Sequence, residues 1–237
     1  MSSQMLARNT LAKRAYEQLR QRIVDGRLAP GSRVVVRPLC AELGLSPTPI
    51  RAALSALERE GFLVSTAHRG YTVPQMSLET VRNIFELRGA LDGIAARRAA
   101  VSPSAETLVR KLHRLLDSQR LQIDVGNLSR YSDLDLTFHR QIWHASGNTR
   151  LVDVAETLSG QIRLGSGSSS QVPGRLPPAL DEHAAIIEAL QSGDGEAAAE
   201  AARAHVHNAS VALDHYVAAD DGRSCSIELS AHLVDRN

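Results

Sequence analysis

The stretch from Arg37 to Val73 constrains what this chain can fold into more than any other. Leu39 and Leu43 lie one helical turn apart and give a short helix a single apolar stripe. Gly44 can take the positive φ that ends such a helix, and Leu45 supplies the apolar residue of the turn. Ser46 and Thr48 can each cap the next helix, and Pro49 suits its first turn, where no partner is needed for a missing N–H. Ile50, Leu54, Leu57 and Phe62 then recur at core spacing, while Arg51 projects from the first turn. Gly61 closes the helix, and Leu63-Val64 and Tyr71-Thr72-Val73 flank the basic tip His68-Arg69-Gly70. The pattern predicts a helix-turn-helix running into a two-stranded wing, an arrangement that lays one helix in a DNA groove.

Upstream, Leu11, Tyr16, Leu19, Arg20 and Ile23 mark an amphipathic helix ending near Gly26. The turn Gly26-Arg27-Leu28-Ala29-Pro30-Gly31 follows, and the β-branched run Val34-Val35-Val36 predicts a short strand. Residues 1–75 thus read as a winged helix-turn-helix domain. Charge agrees with that division. Residues 1–75 hold 11 Lys and Arg against 5 Asp and Glu, and the remainder holds 16 against 21. The basic part attracts a phosphate backbone; the acidic part does not.

Residues 76–80 read as a linker and 81–217 as a second domain, almost wholly helical in pattern. Helices are predicted at 78–101, 103–124, 127–146, 148–165, 178–192 and 196–217. Pro103 opens one, Gly126 and Gly147 punctuate others, and Gly193-Asp194-Gly195 makes a tight link. Residues 165–177, rich in Gly, Ser and Pro, read as the one long loop, and 218–237 as a loose tail. The predicted fold is mainly α: an N-terminal winged helix-turn-helix with a small β-hairpin wing, and a C-terminal antiparallel all-helical bundle.

Composition excludes several classes. Cys40 and Cys225 are too few and too far apart for a disulfide framework or a thiolate metal site. No apolar run approaches about 18 residues, and Met1 to Asn9 lacks the apolar core of a signal peptide, so a cytoplasmic location without membrane attachment is expected. Aromatic residues make up 3% of the chain, which disfavours a stacking platform for single strands. No nucleophile motif, Gly-rich phosphate loop or His-Glu-x-x-His pattern occurs.

Four residues of the bundle form a constellation. Asp135 and His139 are four apart and point from one helix face. His183 and His205 each stand 11 residues from Asp194, so an antiparallel hairpin places them at one height. Three imidazoles and a carboxylate at one level suit a divalent metal such as zinc, nickel or manganese. Spacing alone leaves a second reading open, three unrelated histidines each satisfied by its own hydrogen bond. His113, His144, His207 and His215 fall on other faces and read as ordinary surface or supporting residues.

Several motifs carry a family resemblance. Tyr16-x-x-Leu-Arg20-x-x-Ile23, Gly26-x-Leu28-x-Pro30-Gly31, Leu39 to Gly44 and Ser46-Pro-Thr-Pro-Ile-Arg51-x-Ala53-Leu54 resemble the GntR family of bacterial transcription regulators. The resemblance covers about 65 residues. It implies operator contacts by Arg37, Ser46, Thr48 and Arg51, and by the wing tip His68, Arg69 and Gly70. Pro47 and Ala52 depart from the arginine and glutamate that many members carry there, which bears on the operator sequence. Side-chain chemistry assigns similar roles. Arg51 can donate two hydrogen bonds to a guanine edge, whereas Arg20, Arg37 and Arg69 suit phosphate or minor-groove contacts. A single winged helix buries too little surface for tight binding, so a homodimer on a two-fold operator is expected.

In the second domain, Asp135-x-x-Phe138-His139, Ser146-Gly147-Asn148, Glu182-His183-x-x-Ile186-x-x-Ala189-Leu190-x-x-Gly193-Asp194 and His205 resemble the FCD effector-binding domain of the FadR subfamily. That likeness implies a metal held by Asp135, His139, His183 and His205 beside a small organic acid. Glu86-Leu87-Arg88-x-x-Leu91-Asp92 resembles the domain's first helix and implies Arg88 as a clamp for the acid, in bidentate geometry. The plainer alternative for Arg88 is a salt bridge with Asp92. Asn148 and Arg163 are further pocket candidates, although Asn148 also suits a helix cap. Two functions emerge as expectations: a metabolite-responsive repressor, or a metalloenzyme that uses the Asp/His₃ site and is targeted by its winged helix.

Overall fold

The computed structural model describes residues 3–66 and 70–220, so the wing-tip residues His68 and Arg69 and most of the predicted tail lie outside the described residues. The chain divides into two compact units, the first running through Met76 and taking in Thr157–Gln161 as well, the second beginning at Ser77.

The first unit contains α1 (Ser3–Val24), β1 (Arg33–Val34), α2 (Val36–Leu43), α3 (Pro47–Arg59), β2 (Val64–Thr66) and β3 (Gly70–Thr72). Leu19, Ile23, Leu39, Ile50, Leu54, Leu57 and Phe62 are buried and weld α1, α2 and α3 around one core. Gly44, left-handed at φ 62°, ends α2 with its N–H on the Cys40 carbonyl. Two expectations shift. The β-branched run yields only Arg33–Val34 as strand, since Val36 already opens α2. Thr48 lies inside the first turn of α3 instead of capping it, because Pro47, with its preset φ, starts the helix two residues earlier than a Thr48 cap would. Ser46 is the boundary residue, but its side chain makes no capping hydrogen bond. Arg20 is half-buried, with its guanidinium 5.2 Å from the Phe62 ring centroid. The sheet order is β1-β3-β2, antiparallel throughout, with Arg33 opposite Thr72 and Val64 opposite Thr72 on the other side.

The second unit holds α4 (Leu78–Ala100), α5 (Ala105–Asp124), α6 (Leu128–Ala145), α7 (Thr149–Ser169), α8 (Leu176–Ser192) and α9 (Gly195–Asp220). Side-chain caps start four of them: Ser77 accepts from the Thr80 N–H, Asn127 from Arg130, Asn148 from Leu151 and Asp194 from Ala197. α4 packs along α9, α5 lies against α6 and α8, and α8 pairs with α9 through the tight link. Small residues let α4 and α9 approach closely, since Ala95, Ala96, Ala99, Ala198, Ala199 and Ala202 are all buried.

Boundaries moved at three places. Pro103 belongs to the turn before α5 and does not open that helix. α9 runs on to Asp220, three residues into the predicted tail. The larger change is α7, which continues through Ser169 where a loop was expected. Packing overrides the weak helix propensity of Gly165-Ser-Gly-Ser-Ser-Ser170. A Cβ on Gly165 would stand 3.1 Å from the Phe85 ring, and Ser169 reaches the Ala209 carbonyl.

Candidate functional site

In the winged helix the predicted DNA contacts face outward. Arg37, Ser46, Thr48, Arg51 and Gly70 are exposed, and neither Arg37 nor Arg51 has an ion pair among the described residues. Pro47 and Ala52, the two departures from family pattern, share that exposure. Pro49, Ile50, Ala53, Leu54 and Leu57 form the opposite, buried face of α3. Gly70 opens β3 at φ 86°, and a Cβ there would meet the Val34 carbonyl oxygen at 3.2 Å, so the return into the wing requires glycine.

The helical unit does the reverse and turns its polar residues inward. Asp135, His139, His183 and His205 come together, each offering a ligand atom within 4.8 Å of the others, and all four are buried. His183 and His205 meet with ring centroids 4.5 Å apart, as their equal distance from Asp194 predicts. Each imidazole is held through Nδ1. His139 Nδ1 lies 3.1 Å from Asp92 Oδ2, His183 Nδ1 2.9 Å from Gln119 Oε1, and His205 Nδ1 2.8 Å from Glu182 Oε2. A side-chain oxygen at Nδ1 fixes the proton there and leaves Nε2 with a lone pair. Nε2 of His139 and of His183, and Oδ2 of Asp135, are buried with no hydrogen-bond partner. His183 Nε2 is 3.3 Å from Asp135 Oδ1, close enough to attract but without hydrogen-bond geometry. Lone pairs converging on one point, each braced from behind, fit a divalent ion.

Electrostatics follow from burial and from these partners. Burial pushes His183 down, and burial with the neighbouring His183 takes His205 down to about 3. Burial and Arg88 also oppose a proton on His139, but Asp92 and Asp135 outweigh them and raise it. Desolvation would raise Asp135, yet the close imidazoles of His139 and His183 and the charge of Arg88 hold it well below the usual carboxylate range. Glu182 likewise resists desolvation through His205 and Arg175 and sits at about 2.

Arg88 is 1% exposed and makes the predicted ion pair with Asp92, Nε to Oδ2 at 3.2 Å. It also donates from Nη1 to Ser166 Oγ at 2.7 Å, and its Nη2 stands 3.6 Å from Asp135 Oδ2 without a hydrogen bond. The plainer reading, a salt bridge with Asp92, is what the structure shows, and Nη2 is left without a hydrogen-bond partner. Arg88 borders a narrow cavity together with Tyr131, Asp135, Arg175 and His205. A wider, open cleft of about 640 Å³ lies outside and shares the Arg175–Glu182 wall, but the polar side chains converge on the inner cavity.

The two remaining pocket candidates lie elsewhere. Asn148 is occupied as the cap of α7. Arg163 is buried but turned to α6, donating to Asp133 Oδ1 at 2.7 Å and to the Ser129 carbonyl at 2.9 Å. His113, His144, His207 and His215 are exposed. Sequence reading missed the supporting roles of Asp92, Gln119, Glu182 and Arg175. Asp92 and Glu182 stood inside quoted motifs as a signal, whereas nothing in the sequence marks Gln119.

Comparison with known proteins agrees with this architecture. Residues 11–73 match the gntR family of bacterial regulatory proteins, and residues 83–208 match the FCD domain. The chain belongs to the GntR family. This regulator is 30% identical over 206 residues to a probable D-xylose utilization operon transcriptional repressor of Paenarthrobacter nicotinovorans, covering 86% of this chain and 89% of the relative. It is also 30% identical to the transcriptional repressor RspR of Escherichia coli strain K12, over 82% and 85% of the two chains. Among solved structures, E. coli McbR/YncC shares the regulator's fold with a TM-score of 0.68 at 22% identity, covering 87% of this chain and 98% of its own. A GntR structure from Rhodococcus sp. RHA1 gives 0.66 at 19% identity, over 86% and 97%. These relatives are transcription regulators, not enzymes. Among the described residues no helix of the regulator is long and apolar enough to cross a membrane.

Proposed function

We propose that this GntR-family regulator is a metabolite-responsive repressor of the FadR subfamily, working in the cytoplasm as a homodimer on double-stranded operator DNA. Arg51, Ser46 and Thr48 on α3 face the major groove, Arg37 faces the backbone, and the wing tip His68, Arg69 and Gly70 reaches the minor groove. Asp135, His139, His183 and His205 hold a divalent ion (zinc, nickel or manganese), and Arg88 receives the carboxylate of a small organic acid. The bound ion supplies a fixed positive charge that polarises and orients the acid. The observation that carries this reading is the convergence of unpartnered Nε2 and carboxylate atoms beside a buried guanidinium that keeps one N–H unused. Structural histidines satisfied singly would leave no such atoms.

Effector binding shifts the operator equilibrium only by its differential affinity for the DNA-bound and released forms. The test is metal analysis of the purified protein, then mobility shift of DNA from its own promoter region with small carboxylates added. Retention of an ion and release of the DNA by at least one acid are expected. Failure to retain any of the three metals removes the four ligands from the account. A shift indifferent to every acid removes the effector.

A further inference from the structure

Asp135, His139, His183 and His205 are each at most 4% exposed, and the cavity beside them has about 20 Å³ of free space, room for roughly one water. A hydrated ion cannot pass such an opening. The metal site proposed above, on which this inference rests, therefore needs a way in. Most of the cavity wall is fixed. Arg88 is tied to Asp92 and Ser166. Ser132, Ser169 and Ser170 donate to the carbonyls of Leu128, Ala209 and Gly167.

Arg175 differs. Among the described residues it alone lines both the inner cavity and the open cleft of about 640 Å³ outside it. It stands just ahead of α8, with the exposed Pro173-Gly174 before it and the exposed Pro177-Pro178 after it, yet its own side chain is buried. The backbone is anchored: its N–H meets the Val172 carbonyl at 3.1 Å, and its carbonyl accepts from the Ala179 N–H at 3.2 Å. What can move is the side chain. Nη2 donates to Glu182 Oε2 at 2.5 Å and, weakly, to the His205 carbonyl at 3.4 Å, while Nε is buried with no hydrogen-bond partner. A swing into the cleft exchanges the two bonds for water and satisfies Nε as well, which offsets part of its own cost.

The ligand set survives such a swing. Glu182 keeps His205 Nδ1 at Oε2, 2.8 Å away, and Asn208 Nδ2 at Oε1, 2.9 Å away, so the imidazole stays aimed when the guanidinium leaves. The swing also takes a positive charge off a cation's path and leaves the Glu182 carboxylate facing the cleft. We propose that the Arg175 side chain is a gate. Closed, it separates the outer cleft from Asp135 and the three histidines; swung outward, it admits a divalent ion to them.

Stopped-flow mixing of the full-length protein with zinc alone, then extraction of the bound zinc by a chromophoric chelator, gives the two rates that test this. Arg175→Ala is expected to speed association at least about tenfold, the ratio carried by one charge-assisted hydrogen bond. Arg175→Lys keeps the charge but loses the planar fork, and it is expected to speed association and release together by a smaller factor. Both variants are checked by their melting curves, and the lysine variant carries the comparison should the alanine variant not fold. Association unchanged in both overturns the gate and leaves the metal reading standing. Faster association with slower release in Arg175→Ala, and neither rate changed in Arg175→Lys, marks lost charge alone and also overturns it. Faster release with unchanged association reduces Arg175 to a support of Glu182. A parent protein that retains no zinc overturns both this inference and the reading beneath it.

Discussion

Helices α3 and α6 carry polar residues at the same helical period but opposite faces. On α3, Thr48 and Arg51 point away from the core. On α6, Asp135 and His139 point into it, and each has neighbours from other helices. An exposed side chain needs no partner in the protein and stays available to a ligand as large as DNA. A buried one must be compensated by groups brought from elsewhere in the chain. The outward site is therefore a local property of one short helix-turn-helix, and the inward one a property of the whole bundle.

The largest effect that tests this contrast is Asp92→Ala. It strips a partner from Arg88, His139 Nδ1 and Trp143 Nε1 together, the last at 2.5 Å. Breaking a buried pair on one side costs about 3–5 kcal/mol, read as a large drop in melting temperature. An Asp92→Ala protein as stable as the parent would break the contrast outright. Next comes the ion. At a hundredfold excess over its dissociation constant, a bound ion adds about 2.7 kcal/mol, so chelator should lower the melting midpoint by that equivalent. In the metal-free protein His205 accepts a proton only near pH 3, whereas an unfolded histidine accepts one near 6.5. The unfolded chain thus takes up protons first, and stability should fall as pH drops through that window, measured by denaturant melts at stepped pH.

Outward-facing changes should act on function alone. Arg51→Ala is expected to weaken operator binding by about 1–3 kcal/mol in a mobility-shift titration and to leave the melting temperature in place. The smallest effect sharpens the comparison between two caps of the same residue type. Ser77→Ala removes a hydrogen bond to the Thr80 N–H and should cost about 1 kcal/mol, whereas Ser46→Ala removes none and should cost under about 0.5 kcal/mol.

The same contrast decides what could be read from the residues. Gly44 and Gly61 each mark a backbone event within a few residues of themselves, so the winged helix is largely legible by local rules, although Pro47 and not Pro49 opens α3. His183 and His205 were legible because a tight link at Asp194 makes heights on two helices comparable. Gln119 was not, since α5 reaches His183 through packing that no spacing encodes. The extension of α7 was hidden for a related reason: Phe85 and Arg88 on α4 stabilise turns that their own Gly and Ser residues disfavour. Asn148 shows the converse, a conspicuous polar residue whose amide oxygen has a purely local duty, a cap.

β3, the strand that returns from the wing, is hydrogen-bonded along both edges, to β1 on one side and β2 on the other. A hairpin stitched along one margin can slip by a residue or peel away. This one would have to break two ladders and turn Tyr71 to the other face to do so. β3 thus inherits the stiffness of a three-stranded plate, and it can be re-aimed only by tilting that plate as a whole.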